Sequence, residues 1–554
     1  MKAADLPTYY NICEILEQNL ESRSDKTALL SENKSLTFRE VSEEVNKVGN
    51  ALIRLGVRFG DCVAILCPDL PEWVSIFFAT AKIGGVSLGL NTLLRPDEYD
   101  YILEDARVKV LVVHESLLRL VEPILKKHNS LANVIVITDC ASKHYTTFKD
   151  WIDSEESALE TAATHREDFC SLHYSSGTTG KPKCICHRTG GVLIQHKKEH
   201  QLHCDIKEGD NVFYFTTCGW MMWNWLVSVL ASKASIVLFD GSPMFKKEDL
   251  LLKIAEKENI TFLGISAKYV DALRKLKPKL KYKYNLEKLK TICSTGSPLS
   301  NEGFKYVYQN IKKNVHLASI SGGTDIVSCF VLGNLYQPVH VGEIQNKGLA
   351  LNIDIFNDKG KSIMNKKGEL ICKNPFPSMP LKFWNDKNDE KYKNAYFNRF
   401  PNVWHHGDFA EIKKNNGFVI HGRSDTTLNP GGVRLGTAEI YAEIEQFKEI
   451  RESLVVGQSW DNDIRIILFV ILNPKYQLTN NVVNRIKLQI KKNVSPRHVP
   501  NKIIQINDIP RTKSGKIVEL AVKNTIEGIG IKNKEALSNP QSLNQFKNIK
   551  ELKY

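Results

Sequence analysis

The chain lacks any Cys-x-x-Cys pair, and its 12 cysteines are scattered, with Cys184 and Cys186 the only close two. That spacing indicates neither a zinc site nor a disulfide framework, so a reducing, cytoplasmic setting is expected. A secretory leader is not expected either, because Asp5 and Pro7 stand where its apolar core would run and no cleavage-site pattern follows. No stretch reaches the roughly 18 uninterrupted apolar residues of a membrane span. The most apolar long segment, Trp73 to Leu90, contains Lys82 and Gly84-Gly85 and reads as a buried helix and strand. Internal repeats are absent as well.

What is present is ordinary globular material. Hydrophobic residues make up 42% and charged residues 25% of 554, enough apolar surface to offset the ordering entropy of most of the chain. At roughly 150 residues per domain the length allows three or four packing units. Lys and Arg number 75 against 62 Asp and Glu, a formal charge of +13, which favours anionic partners: nucleic acid, acidic membranes or phosphorylated small molecules.

Strand and helix patterns alternate along the first three-quarters. Thr37 and Glu40 form a capping box before Val41, Val45, Val48, Leu52 and Leu55, a helical spacing that Gly56 ends. Cys62 to Leu66 reads as a strand, Pro71 to about Lys82 as a helix, Asp97 to Asp105 as a helix and Val108 to Val113 as a strand. The alternation continues through Ser235 to Asp240, Lys247 to Asn259, Ile260 to Ile265 and Leu289 to Ser294. Such order predicts an α/β protein with mostly parallel sheets, whose ligands bind at the carboxyl ends of strands. After Asp425 the elements shorten, with a helix expected over Thr437 to Phe447 and a strand over Ile464 to Leu472. The expected division is a large layered domain, 1–425, and a small mobile α+β domain, 426–554, with a loosely packed tail from Lys532.

The most informative segment is His173-Tyr174-Ser175-Ser176-Gly177-Thr178-Thr179-Gly180-Lys181-Pro182-Lys183. Glycines admit close backbone approach, hydroxyls and successive amides donate to phosphate oxygens, and lysines supply charge, so an anion-cradling loop is expected. The spacing fails the Walker pattern, which disfavours a P-loop NTPase.

This loop resembles that of the acyl-adenylate-forming enzymes, with Cys184 in place of the usual final glycine. Further motifs of that superfamily follow in order: Gly296-Ser297-Pro298, Gly323-Thr324-Asp325, His406-Gly407-Asp408, Gly422-Arg423-Ser424-Asp425 and Arg511-Thr512-Lys513-Ser514-Gly515-Lys516. The resemblance implies activation of a carboxylate by ATP to an acyl-AMP, with loss of pyrophosphate, then transfer to the thiol of CoA. It assigns nucleotide binding to Ser175, Ser176, Gly177, Thr178, Thr179, Gly180, Lys181 and Lys183, the adenine pocket to Gly296, Ser297 and Pro298, and the ribose to Asp408 with Arg423 beside it. Thr324 would contact the α-phosphate, and Asp325 would help hold Mg²⁺ where most relatives carry glutamate. Lys516 corresponds to the catalytic lysine and Asp425 to the hinge on which the small domain turns. Gly432 would leave room for the CoA pantetheine, and Arg434 would face phosphate. The Lys513 to Lys516 loop also suggests control by lysine-acylating and deacylating enzymes.

From about Phe169 onward the chain is especially similar to acetoacetyl-CoA synthetases, through runs such as Gly219-Trp220-Met221-Met222-Trp223-Asn224-Trp225 and Pro375-Phe376-Pro377-Ser378-Met379-Pro380. That resemblance implies an acyl pocket bounded by Trp220, Met221, Gly322 and Gly323. Gly322 stands where acetate-activating relatives carry tryptophan, implying a longer acid, with acetoacetate as the expected substrate. The aromatic and Met run also fits ordinary core at helical spacing. The first 165 residues, including Asn91 to Tyr99 and Ile102 to Asp105, look more like benzoate-type aryl-CoA ligases, so an aryl or other short-chain acid is the alternative. The resemblance implies small-molecule partners and no nucleic acid, although +13 alone would admit a nucleic-acid-binding protein.

Overall fold

The computed structural model describes residues 7–128, 131, 133–175, 183–278, 280–426, 428, 430, 435–461, 463–513, 515–531 and 534–553. Packing divides the chain into two compact units. One comprises Met1–Ser175, Cys184–Asn352 and Asn374–Asn394; the other comprises Ser176–Lys183, Ile353–Lys373 and Ala395–Tyr554.

The larger unit is built on two mostly parallel sheets. An eight-stranded sheet has at its centre Phe169–Ser175, Val86–Gly89, Cys62–Leu66, Val108–His114 and Asn133–Ile137, side by side in that order. A seven-stranded sheet runs His316–Ser319, Thr291–Thr295, Phe262–Ser266, Asn211–Tyr214 and Ser235–Val237, with Phe262 opposite Thr291 and Ser266 opposite Thr295. Side chains of both sheets meet in one core, Val63, Ile65 and Val110 from the first and Val212, Tyr214 and Ile236 from the second. Helices Phe38–Arg54 and Pro71–Lys82 complete it. The predicted capping box is present: the Glu40 amide donates to the Thr37 hydroxyl at 3.2 Å, and the Thr37 amide donates to the Glu40 carboxylate at 2.7 Å. This satisfies two otherwise orphan amides and starts the helix whose Val41, Val45, Val48 and Leu52 are fully buried.

Elements expected from periodicity are found, with ends that move in either direction. The helix expected over Lys247 to Asn259 spans Leu250–Lys257, because Asp249 takes the cap position and Asn259 turns to a φ of +50°. Trp73 to Leu90 is the predicted buried helix followed by the strand Val86–Gly89, and among the described residues no helix is long and apolar enough to cross a membrane.

The second unit holds a four-stranded antiparallel sheet, ordered Ile353–Phe356, Gly368–Cys372, Trp404–Ile412, Phe418–Arg423, and a three-stranded sheet, Ile450–Trp460, Asp463–Leu472, Lys502–Gln505. The division at 425/426 falls between these sheets, whereas packing gathers both into one compact unit. Helix Thr437–Ile444 packs against strand Phe418–Arg423, helix Glu519–Ile526 packs against the turn Ser424–Thr426, and Lys367 Nζ pairs with Glu439 at 2.6 Å.

The expected loose tail is a correction. Leu543, Phe546 and Leu552 are at most 6% exposed and join the core of the three-stranded sheet, while Arg465 donates to the Leu552 carbonyl at 2.6 Å. Polar Lys and Asn between them obscure in the sequence an apolar stripe that short helical turns bring to one side.

Candidate functional site

The predicted phosphate loop falls in sequence between two strands of the eight-stranded sheet. Ser175 ends Phe169–Ser175 and Lys183, exposed, opens Lys183–Arg188. Ser176, Gly177, Thr178, Thr179, Gly180 and Lys181 lie outside the described residues. In the first of these strands the Tyr174 hydroxyl donates to Asp105 at 2.6 Å. Cys184, standing for the family's glycine, is 4% exposed in its strand, where burial pushes its thiol well up and leaves it a small apolar filler.

Other predicted groups stand at the carboxyl ends of strands. Gly296 follows Thr291–Thr295, with Ser297 half-buried and Pro298 exposed. Thr324 and Asp325, both half-buried, form a helical turn directly after the short strand Ser321–Gly323, and that turn lies against Phe169–Ser175, the strand entering the phosphate loop. Among the described residues no cluster of three or more His, Cys, Asp or Glu could hold a metal.

Gly322 is constrained by more than pocket size. A Cβ there would lie 2.1 Å from the Ser328 carbonyl oxygen and 2.4 Å from the Cys329 Cα, both on the paired strand. The glycine is required by the close approach of two strands, and tryptophan could not be seated without moving one of them.

The aromatic run is mostly core. Met222, Trp223, Trp225, Leu226 and Val227 are buried core, whereas Trp220 is 39% exposed and Met221 half-buried. Sequence reasoning missed Asp69, whose carboxylate accepts the Cys218 amide at 3.0 Å just before Gly219-Trp220. Burial raises this carboxyl to about 7, against the opposing bonds from Cys218. Its signal was an acidic residue just beyond the carboxyl end of the apolar strand Cys62–Leu66.

In the second unit Asp408 and Arg423 stand opposite each other on paired strands, joined by a 3.0 Å charge-assisted hydrogen bond from Nη1 to Oδ1. Arg423 also donates to the His406 carbonyl at 3.2 Å. Asp408 is 8% exposed, while half of the Arg423 side chain is open. A second missed residue, Glu369, is buried beside this pair. Its carboxylate accepts from His405 Nε2 at 2.8 Å, pairs with Arg399 at 2.7 Å and accepts from the Ser424 hydroxyl. A lone glutamate in the apolar strand Gly368–Cys372 was its signal.

Gly407 holds a φ of +84°, and a Cβ there would lie 2.8 Å from Arg423 Nη2. Gly407→Ala is expected to lower unfolding free energy by about 1–2 kcal/mol through left-handed backbone alone. Chemical denaturation checks this; unchanged stability would contradict it.

Lys516 lies exposed on a tight loop closed by the Thr512 amide to the Lys516 carbonyl at 2.8 Å and by the Lys516 amide to Thr512 Oγ1 at 3.1 Å. Lys513, three residues earlier, is 6% exposed, so the two lysines of this loop differ sharply in access. The turn Ser424–Thr426 contains Asp425, whose side chain lies outside the described residues, as do Gly432 and Arg434. Leu428 and Leu435 exchange backbone hydrogen bonds of 2.9 and 2.7 Å and close the loop between them.

Residues 16–379 match the family described as AMP-binding enzyme. The acetoacetyl-coenzyme A synthetase of Rhizobium meliloti (strain 1021) is 46% identical over 543 residues, covering 94% of this chain and 82% of its own length. That of Gallus gallus is 39% identical over 99% of this chain and 87% of its own, so the similarity runs through the first 165 residues as well. Among solved structures, an acetoacetyl-CoA synthetase from Streptomyces lividans superimposes with a TM-score of 0.93 at 34% identity, over 99% of this chain and 87% of that one. The anthranilate CoA ligase AuaEII, in complex with anthranoyl-AMP, gives 0.85 at 30% over 93% and 97%. With its strands, turn and Asp408–Arg423 pair arranged as described, the chain belongs to the AMP-binding enzyme family.

Proposed function

We propose that this chain is an ATP-dependent acid–thiol ligase that converts acetoacetate to its acyl-AMP, releasing pyrophosphate, and passes the acyl group to CoA, releasing AMP. The observation that carries the substrate is the near full-length similarity to acetoacetyl-CoA synthetases, 46% over 94% of the chain. The first step brings two anions together, so it needs positive charge and preorganised donors more than a general base. Thr324 donates its hydroxyl toward the α-phosphate. Asp408 accepts from the ribose hydroxyls, with Arg423 holding the carboxylate in place. The phosphate loop, Ser175 to Lys183, supplies amides, hydroxyls and two lysines, and Gly296, Ser297 and Pro298 line the adenine. Asp325, together with substrate phosphates, would hold Mg²⁺, which would supply charge neutralisation. The half-exposed Trp220 and Met221, with Gly322 and Gly323, bound the acyl group. Residues 426–554 turn about Asp425 between the two steps, and Gly432 and Arg434 then serve CoA. The exposure of Lys516 also supports modification of that lysine by acylating enzymes, which mass spectrometry of protein from cells would detect.

A panel of carboxylates assayed for pyrophosphate release and CoA-dependent AMP formation tests this reading. Acetoacetate is expected to be the best substrate. An aryl acid is the second reading, favoured by the 30% identity to the anthranilate ligase, and turnover of anthranilate or benzoate with none of acetoacetate would establish it instead.

A further inference from the structure

We propose that His196 and Glu199, buried beneath the Thr324-Asp325 turn, are positioning residues that hold that turn in its working shape and tie it to the helix Met221–Val227. The proposal rests on the function proposed above, which gives Thr324 and Asp325 their roles.

The turn ends on a backbone that needs holding. Val327 has φ +47° and ψ +37°, a left-handed conformation that a β-branched residue disfavours and that persists only when its surroundings determine it. Its carbonyl oxygen meets His196 Nε2. A carbonyl only accepts, so the proton of the ring sits on Nε2, and Nδ1 must accept. The Ser228 hydroxyl lies 2.9 Å from Nδ1 and supplies that hydrogen. Trp225 O, 2.8 Å from Ser228 Oγ, is then satisfied by His200 Nε2 at 3.1 Å. The donors form a consistent set ending on Val327.

The next residue is fixed from the same helix. The Ser328 hydroxyl donates to Glu199, and Gln195 Nε2 lies 2.9 Å from Ser328 Oγ and 2.7 Å from Glu199 Oε1. The other Glu199 oxygen accepts from the Trp225 indole at 3.0 Å, and Lys198 Nζ stands 3.8 Å from Oε1. Glu199, 2% exposed, thereby joins the strand leaving the turn to the helix that begins beside Trp220. It sits where the α-helix Thr189–Lys198 widens into a π-helical turn over Glu199–His203, a geometry frequent at functional sites. A buried polar network of this kind stabilises no more than apolar packing of the same volume would; what it adds is a single arrangement of the groups it touches.

The test uses full-length enzyme in ATP–pyrophosphate exchange with a carboxylate the wild type accepts. It also uses calorimetric binding of a non-hydrolysable acyl-sulfamoyl adenosine. His196→Ala is expected to lower kcat for exchange by on the order of 10- to 100-fold, as small misplacements of reacting groups do, with KM for ATP near the wild-type value and weaker binding of the adenylate mimic. His196→Gln, whose amide can still donate to the Val327 carbonyl, should recover most of both. If His196→Ala does not fold, Ser228→Ala, which leaves the imidazole and its packing in place, should still lower kcat several-fold without raising KM. Wild-type kcat and mimic binding in the alanine variants, or a glutamine variant as impaired as alanine, would overturn the proposal. Exchange by the wild type with an unaffected His196→Ala defeats this proposal alone, whereas a wild type that exchanges with no carboxylate defeats the proposed function and this inference with it.

Discussion

Replacing Lys516 by alanine is expected to slow acyl-AMP formation by on the order of 100-fold or more, the scale of losing one preorganised donor from a transition state in which charge is concentrated. A compact ammonium can sit between the carboxylate and the α-phosphate while both are still anionic, which the broader, forked guanidinium of arginine cannot do in the same space. Lys516→Arg should therefore recover little. The loop should survive the change, because the bonds that close it use the backbone of residue 516, with the Thr512 amide at 2.8 Å from its carbonyl and its own amide at 3.1 Å from Thr512 Oγ1. Unfolding temperature is thus expected to stay near that of the wild type. With the lysine's proposed role confined to the first step, transfer of a supplied acyl-AMP to CoA should fall far less. Pyrophosphate exchange measured beside this second half-reaction separates the two, and normal acyl-AMP formation by Lys516→Ala would remove the role assigned to it.

Lys516, Asp408 and Thr324 could be singled out as candidates because each sits in a short, glycine-punctuated segment whose residue types are unusual together. The element types were legible for a related reason: periodicity records which face is buried, and Val41, Val45, Val48 and Leu52 are indeed buried at their helical spacing. What escaped was chemistry made by distant partners. Glu369 meets His405 and Ser424, which lie 36 and 55 residues away, and Glu199 meets Ser328, 129 residues away. No local pattern encodes such pairs; in the sequence each is one acidic residue among polar or apolar neighbours. Gly322 illustrates a different limit. Its lack of a side chain reads as an enlarged pocket, but a Cβ there would lie 2.1 Å from the Ser328 carbonyl oxygen, which explains the glycine by strand packing before any substrate is considered. The tail from Lys532 fails for a third reason, since Leu543, Phe546, Ile549 and Leu552 recur every three residues, the spacing of short 3₁₀ turns among Lys and Asn rather than of an α-helix.

Mild acid is expected to unfold this protein over a narrow range below pH 6.5, and the cause is its buried histidines. Burial, reinforced by the neighbouring His196, brings His173 down to about 4; burial and the nearby Lys367 do the same to His421. His187 and His200 are held well below the usual value, and His196, His203 and His316 are lowered as well, in each case chiefly by burial. For His187 both ring nitrogens are buried without a hydrogen bond of ordinary geometry, although the Thr324 backbone lies near enough to favour the protonated ring in part. Each of these groups is neutral in the fold and ordinary when unfolded. Above pH 6.5 neither state binds the proton, and stability is complete. Below it the unfolded chain takes up protons that the folded chain refuses, so stability falls at up to about 1.4 kcal/mol per histidine per pH unit, for His173 and His421 until pH approaches 4. Several histidines acting together over one to two units would exhaust the roughly 5–15 kcal/mol by which a domain is stable. Glu439 adds a later loss: burial raises it, but His498 and Lys367 outweigh that and hold it at about 2, so its contribution is present above 4.5 and disappears toward 2. Unfolding followed by circular dichroism at pH 7.5, 6 and 5 should show a steep fall in midpoint with proton uptake on unfolding. A midpoint that stayed level from 7.5 to 5 would mean that the fold accommodates these imidazoliums, and with them a protonated His196 beneath the Thr324 turn.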